Sequence, residues 1–343
     1  MPRSSRPLVI SAPHPRSVDL IFSPERRADL FDRYELVEVE PDAVAGLAPN
    51  LLNRARYVLG QPPLGLETLR QMPQLKSILN VESNLIDNMP YDYLFERGIH
   101  VLTTGAVFAE PVAELGLAMA LDLARNVTDA DLDFRNGREK WGYEGNTSAR
   151  LISGAQIGIV GFGDLGRALA RLLQGFRAQI SAHDPWLPPS MLAEQGVQPA
   201  DLDTLLGQSD FLFVVAAVTR ENQGFLGADA FARMKKGAAF ILLSRAEVVD
   251  FDALMQAVSQ NRICAASDVF PEEPLPANHP VRSLKGFIRS AHRAGALTSA
   301  FQKMGEMVLE DMALMDQGLP PMRCKRAERE TVSRMRSRPV TQN

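Results

Sequence analysis

The stretch "IGIVGFGDLGRALARLL", residues 157–173, restricts the fold more than any other part of this chain. A short apolar run meets three closely spaced glycines, and an apolar pattern at helical spacing follows at once. A buried strand that turns tightly into a helix opens a βαβ unit.

The rest of the chain repeats this rhythm. Strands are expected at "PLVISA" (7–12), "YVLG" (57–60), "LKSILNV" (75–81) and "IHVLTT" (99–104), with helices at "GLETLRQM" (65–72) and "PYDYLFERG" (90–98). A second series places strands at "QIGIVG" (156–161), "AQISAHD" (178–184), "DFLFVVAA" (210–217), "GAAFILLS" (237–244) and "ICAASDVF" (263–270), with helices in the gaps. Such alternation specifies α/β architecture, a parallel sheet with helices on both faces. Between the two series, "AEPVAELGLAMALDLARNVTDADLDFRNG" (109–137) is long and mostly uninterrupted, with a long helix at 109–125 whose length would let it bridge two domains. The last helix is expected at 299–318. A chain of 343 residues exceeds the roughly 250–300 at which one core stops growing, so two domains are the expectation.

Composition narrows the function. A net charge of −4 gives no reason to expect a nucleic-acid partner. Cys264 and Cys324 are the only cysteines and form no CxxC, which argues against a disulfide framework and against a cysteine metal site. The run "PLVISAP" is too short for a signal sequence, and "FLFVVAAV" has the length of a buried strand. No stretch approaches the ~20 apolar residues of a membrane span. A cytoplasmic protein with no membrane partner is expected. From Met322 the tail carries seven Lys or Arg against two Glu, a pattern of solvated or subunit-crossing segments.

The three glycines have distinct work if they hold a pyrophosphate. Gly161 permits the tight turn, Gly163 lets the backbone approach the ligand, and Gly166 lets the helix pack close to the strand. Asp164 and Leu165 complete the turn at the helix N-terminus, whose N–H groups favour an anion. Asp184 ends the next strand, where a carboxylate accepts both adenosine ribose hydroxyls and repels a 2′-phosphate. With no Arg in the following "PWLPP", the cofactor is expected to be NAD.

A nicotinamide enzyme acting on an alcohol or carbonyl needs a proton donor–acceptor near neutrality, a group that orients it, and a cation for the substrate's charge. Three late segments offer such groups at strand ends: "LLSRAEVVD" (242–250), "DVFPEEPLP" (268–276) and "SAHRAGA" (290–296). Together with the glycine turn, and with "ERGIHVL", "VAELGLAMALDLAR", "FRNGREKW" and "ARMKKGAAFILLSR", they resemble the D-isomer-specific 2-hydroxyacid dehydrogenases over most of the chain from Leu75 to Gly318.

The resemblance implies a Rossmann-type doubly wound NAD-binding domain, residues 109–298, inserted into a flavodoxin-like α/β substrate domain formed by 1–108 with 299–343. It implies Arg245, Glu273 and His292 as catalytic residues and Asp268 on the nicotinamide side. His292 would move the proton of the C2 hydroxyl, Glu273 would orient the ring, and Arg245 would grip the substrate carboxylate. It also implies a homodimer joined through the NAD-binding domain and a small 2-hydroxy or 2-oxo acid as substrate.

The chain departs from that family at several points. The loop that would bind the substrate carboxylate reads "NVESNLIDN" (80–88), placing Glu82, Ser83 and Asn84 where glycines are usual. Ser83 and Asn84 offer donors, whereas an inward Glu82 would repel an acid. Ala246 stands where Gly is usual, a small change if its backbone angle is negative. Arg293 stands where an apolar residue is usual, as a second anchor for an anionic group or a contact to a neighbouring subunit. The alternative function is a non-catalytic, NAD-responsive binding protein of corepressor type, which the same residues would also fit.

Overall fold

A computed structural model describes residues 6–82 and 85–334. They form two compact units: the chain up to Phe108 together with the chain from Ala296, and Ala109–Gly295. The return to the first unit falls at Ala296, three residues before the boundary drawn from the sequence. The helix there begins at Thr298, ahead of its first buried residue, Ala300, so the apolar pattern starts later than the structural division.

The first unit carries strands β1 (Leu8–Ser11), β2 (Glu35–Glu38), β3 (Ala55–Leu59), β4 (Ser77–Asn80) and β5 (His100–Thr103). Among the described residues its sheet runs β13-β5-β4-β3-β1-β2, where β13 is Lys325–Arg326. All pairs are parallel except β13 with β5. The order 2-1-3-4-5 is the flavodoxin-like one, with a switch point between β1 and β3. Both faces are covered: Val9, Tyr57 and Leu79 pack with Met304, Val308 and Met312 of the helix Thr298–Asp316, while Ile10, Val58 and Ile78 join a second core. Period-two alternation of apolar residues into two cores explains why these strands read as continuous hydrophobic runs.

The second unit carries β6 (Gln156–Val160), β7 (Gln179–His183), β8 (Gln198–Pro199), β9 (Phe211–Val214), β10 (Ala239–Leu242), β11 (Cys264–Ser267) and β12 (Phe287–Arg289). Their order, β12-β11-β10-β9-β6-β7-β8, is parallel throughout and doubly wound about the β6/β9 boundary. Four short strands escaped the sequence pattern. β2 reads "ELVE", β8 is two exposed residues, β12 has three residues and β13 two; each lies at a sheet edge.

The helical stretch over 109–137 is two helices. Ala109–Arg125 stops at Asn126, which adopts φ 53°, and Val127–Arg135 follows. Asparagine tolerates the left-handed region, and its Nδ2 donates to Ser148 Oγ at 3.0 Å, which fixes the break. The first helix belongs to the second unit and begins where the chain leaves the first.

Candidate active site

Strands β6, β7, β10, β11 and β12 of the second unit deliver the site residues to one carboxyl edge, where ligands of open α/β sheets bind. Their central feature is the glycine turn after β6. Gly161 has φ 92°, and a Cβ there would lie 2.6 Å from Ala216 Cα, so the turn is pressed against the loop after β9. At Gly166 a Cβ would lie 2.4 Å from Gly161 O, which requires glycine for the helix to begin so close to the strand. Gly163 differs: nothing lies within 4 Å of an added Cβ.

Gly163 is also the N-cap of the helix Asp164–Gln174 and supplies no side-chain cap. The open ground in front of uncapped first-turn N–H groups suits a pyrophosphate. Asp164 opens this helix, where a carboxylate complements the dipole, and Leu165 follows in the same turn.

Asp184 sits just past β7. Its Oδ2 accepts from Phe162 N–H at 2.8 Å and its Oδ1 from Trp186 N–H at 2.9 Å. Each oxygen keeps a second lone pair for a ribose hydroxyl. A cavity of about 270 Å³ opens beside it, lined in part by Leu187, Pro189, Leu192 and Asp201. These residues fit a dinucleotide.

Arg245 lies beyond β10, its Nη1 donating to Ser244 O at 2.7 Å. Ala246 after it is not among the residues of positive φ, so the missing glycine costs the turn nothing. Glu273 and His292 meet: Nδ1 of the imidazole is 2.6 Å from Oε2 of the carboxylate, each side chain about a third exposed. The other oxygen of Glu273 accepts from Phe270 N–H at 2.9 Å. Burial alone would raise the Glu273 pKa, but the His292 hydrogen bond, the Phe270 N–H and the charges of His292 and Arg245 together bring it below its ordinary value.

Asp268 explains how His292 is held. Its backbone N–H donates to Leu242 O and its carbonyl accepts from His292 N–H at 2.7 Å. Its Oδ1 and Oδ2 accept from Arg293 and Ala294 N–H, both at 3.0 Å. This network fixes a turn in which His292 takes φ 47°. Read from the sequence as a nicotinamide-side group, Asp268 is only 1% exposed and both carboxylate oxygens are engaged by backbone. Its carboxylate holds the turn that carries His292.

In the first unit, the loop after β4 places Glu82 beside a cation. Glu82 forms an ion pair with Arg16, 2.9 Å from Nε to Oε1, and Arg16 Nη2 donates to its Oε2 at 3.1 Å. Its N–H donates to Asn80 Oδ1 and its carbonyl accepts from Thr103 Oγ1. Paired with Arg16, Glu82 does not stand as an uncompensated negative charge. Ser83 and Asn84 lie outside the described residues.

Arg16 was missed. Its guanidinium stacks 4.5 Å from the Phe301 ring centroid, and its partners are distant in sequence, so no local signal marks it. Gln61 and Asn80 were missed for the same reason: Asn80 Nδ2 donates to Gln61 Oε1 at 2.7 Å, and Gln61 Nε2 donates to Ile86 O at 2.8 Å.

Residues 117–294 match the family model for the NAD-binding domain of D-isomer specific 2-hydroxyacid dehydrogenases. The chain belongs to that family. A glyoxylate reductase of Thermococcus litoralis is 31% identical over 309 residues, covering 87% of this chain and 93% of its own. Another, from Korarchaeum cryptofilum, is 32% identical over 264 residues, covering 76% and 79%. The crystal structure of a phosphoglycerate oxidoreductase from Rhizobium etli is 71% identical with a TM-score of 0.88, covering 94% of this chain and 99% of that one.

As a member of this dehydrogenase family the protein is an NAD-dependent 2-hydroxyacid oxidoreductase, with the Rossmann-type domain in the second unit. Among the described residues no helix is long and apolar enough to cross a membrane, and no three His, Cys, Asp or Glu side chains are grouped to hold a metal.

Proposed function

We propose that the enzyme moves a hydride between NAD(H) and C2 of a small 2-hydroxy or 2-oxo acid, with His292 and Glu273 as the acid–base pair and Arg245 as the carboxylate ligand. The contact that carries this reading is His292 Nδ1 to Glu273 Oε2, 2.6 Å, on the same sheet edge as the glycine turn. An ionised carboxylate only accepts, so Nδ1 carries the proton and Nε2 is left to exchange one with substrate.

In oxidation Nε2 takes the C2 hydroxyl proton, and in reduction the imidazolium returns it to the C2 oxygen. Glu273 stabilises the imidazolium by charge and holds the ring by its hydrogen bond. The planar fork of Arg245 binds the substrate carboxylate and draws charge from the C2 oxygen. Bound NAD accepts the hydride in one direction, and NADH donates it in the other. Gly161, Gly163 and Gly166 would hold its pyrophosphate, with Asp164 and Leu165 at the helix start, and Asp184 would accept its ribose hydroxyls.

Relatives named for glyoxylate and for phosphoglycerate support an acid of two or three carbons. The test follows NADH consumption with glyoxylate, hydroxypyruvate, pyruvate and phosphohydroxypyruvate. One or more of these acids is expected to turn over, and His292→Ala is expected to lower kcat by about 10²–10⁴ while still binding NADH. Full activity in His292→Ala would remove the histidine from the chemistry.

A homodimer joined through the NAD-binding domain belongs to the same proposal. The helix Val127–Arg135 buries none of its residues, and Leu132, Phe134, Trp141 and Tyr143 are exposed together in sequence. A partner would cover this apolar stretch. Sedimentation should give a dimer that Phe134→Asp with Trp141→Asp dissociates; an undissociated dimer places the interface elsewhere. The two free thiols, Cys264 and Cys324, support a reducing, cytoplasmic setting, which recovery of the active protein in a membrane or secreted fraction would contradict.

A further inference from the structure

Arg293 follows His292 directly, and the same residue, Asp268, steadies both. Its N–H donates to Asp268 Oδ1 at 3.0 Å and that of Ala294 to Oδ2 at 3.0 Å, while His292 N–H donates to Asp268 O at 2.7 Å. The main chain of Arg293 is therefore as firmly placed as that of the acid–base histidine, on the carboxyl edge where β11 and β12 end. A ligand-binding side chain needs such a base.

Among the described residues the Arg293 guanidinium has no partner in the fold. Arg289, four residues earlier, directs its own to the carbonyls of Val281 and Leu284. Arg293 is exposed, and among the described residues its side chain meets no carboxylate or carbonyl. Glu273, the acid beside this turn, is engaged by His292 and Phe270. A full positive charge is thus carried one residue from the proton-transfer histidine, with no internal counter-ion among the described residues. Arg245 accounts for one substrate anion, and Arg293 is a cation in excess of that need.

Resting on the proposed function, we infer that Arg293 is a specificity residue: it binds a second anionic group on the substrate, a phosphate ester or carboxylate carried at C3. Its planar donors suit either group. The enzyme then favours doubly anionic 2-oxo acids over singly charged ones of the same length.

The experiment compares wild type, Arg293→Met and Arg293→Lys in NADH-dependent reduction of phosphohydroxypyruvate, oxaloacetate and hydroxypyruvate, with thermal melting to confirm folding. In Arg293→Met the ratio of kcat/KM for a doubly anionic acid to that for hydroxypyruvate should fall about 10- to 100-fold, chiefly through KM. Arg293→Lys should recover part of it. A fall confined to phosphohydroxypyruvate identifies the group as phosphate, and one confined to oxaloacetate identifies it as carboxylate. Unchanged ratios for both acids, in an enzyme that reduces hydroxypyruvate, overturn this inference and leave the proposed function standing. Failure of the wild type to reduce any of the three overturns the function for these acids and the role of Arg293 with it.

Discussion

At the carboxyl edge of the first unit's sheet, Arg16 closes on Glu82, and Asn80 and Gln61 tie down the loop that follows. At the corresponding edge of the second unit, Gly163 fronts open space, Asp184 keeps lone pairs in reserve, and the His292–Glu273 pair stays a third exposed. Both sheets are parallel and helix-covered. At one edge Arg16, Glu82, Asn80 and Gln61 pair with one another or with the backbone, and at the other the glycine turn and Asp184 keep hydrogen-bonding capacity. Open sheet edges invite ligands by topology, but only unpaired hydrogen-bonding capacity lets a ligand be held there.

The largest expected effect tests whether the glycine turn is structural, functional or both. Gly161→Ala forces a Cβ against Ala216 backbone at a φ of 92° and should destabilise the protein by about 2–4 kcal/mol in urea unfolding. Gly163→Ala meets no atom, so stability should change by less than about 1 kcal/mol. NADH affinity, read by fluorescence titration, should nevertheless fall, because the new methyl occupies the ground offered to the pyrophosphate. Normal binding by Gly163→Ala would mean that this open ground is not the cofactor's.

A smaller effect sharpens the picture of the closed edge. Glu82→Ala strands Arg16, whose side chain is 14% exposed, over an aromatic ring. The loss should be about 1–2 kcal/mol, below the ~3–5 kcal/mol of a fully buried pair because Glu82 is 29% exposed. The double variant Arg16→Met, Glu82→Ala should regain part of it. Additive losses in this cycle would show that the two side chains do not depend on each other.

The smallest effect concerns pH. The folded pKa of Glu273 lies below its ordinary value of 4.5, so the ionised carboxylate stabilises the fold above that range. This contribution declines as pH falls through the folded pKa. The stability gap between wild type and Glu273→Gln should accordingly be widest near neutrality and close in acid. A gap that does not narrow below about pH 4 would show that the native contacts do not favour the ionised form.

The strands that the sequence made legible are the ones buried on both faces. "LVIS", "FLFV" and "AFIL" are apolar at every or nearly every position because helices cover them twice. The edge strands β2, β8, β12 and β13 lack that signal, since they are short and lie at the sheet edges. The break at Asn126 was equally hidden: its neighbours continue a helical pattern, and the side chain that stabilises the left-handed turn pairs with Ser148, far along the chain.

For the site, the division follows the range of each interaction. Glycine spacing, the carboxylate after β7 and the order of the late motifs are local features, so the sequence by itself determined the cofactor class and the family. Whether Glu82 repels a substrate or neutralises Arg16 depended on two loops brought together from 66 residues apart. Whether Asp268 reaches a ligand or holds the His292 turn depended on N–H groups 25 and 26 residues away. Charge type is written in the residue; the partner that claims it is chosen only when the chain has folded, because hydrogen bonds and ion pairs act over a few ångströms of space and not along the sequence.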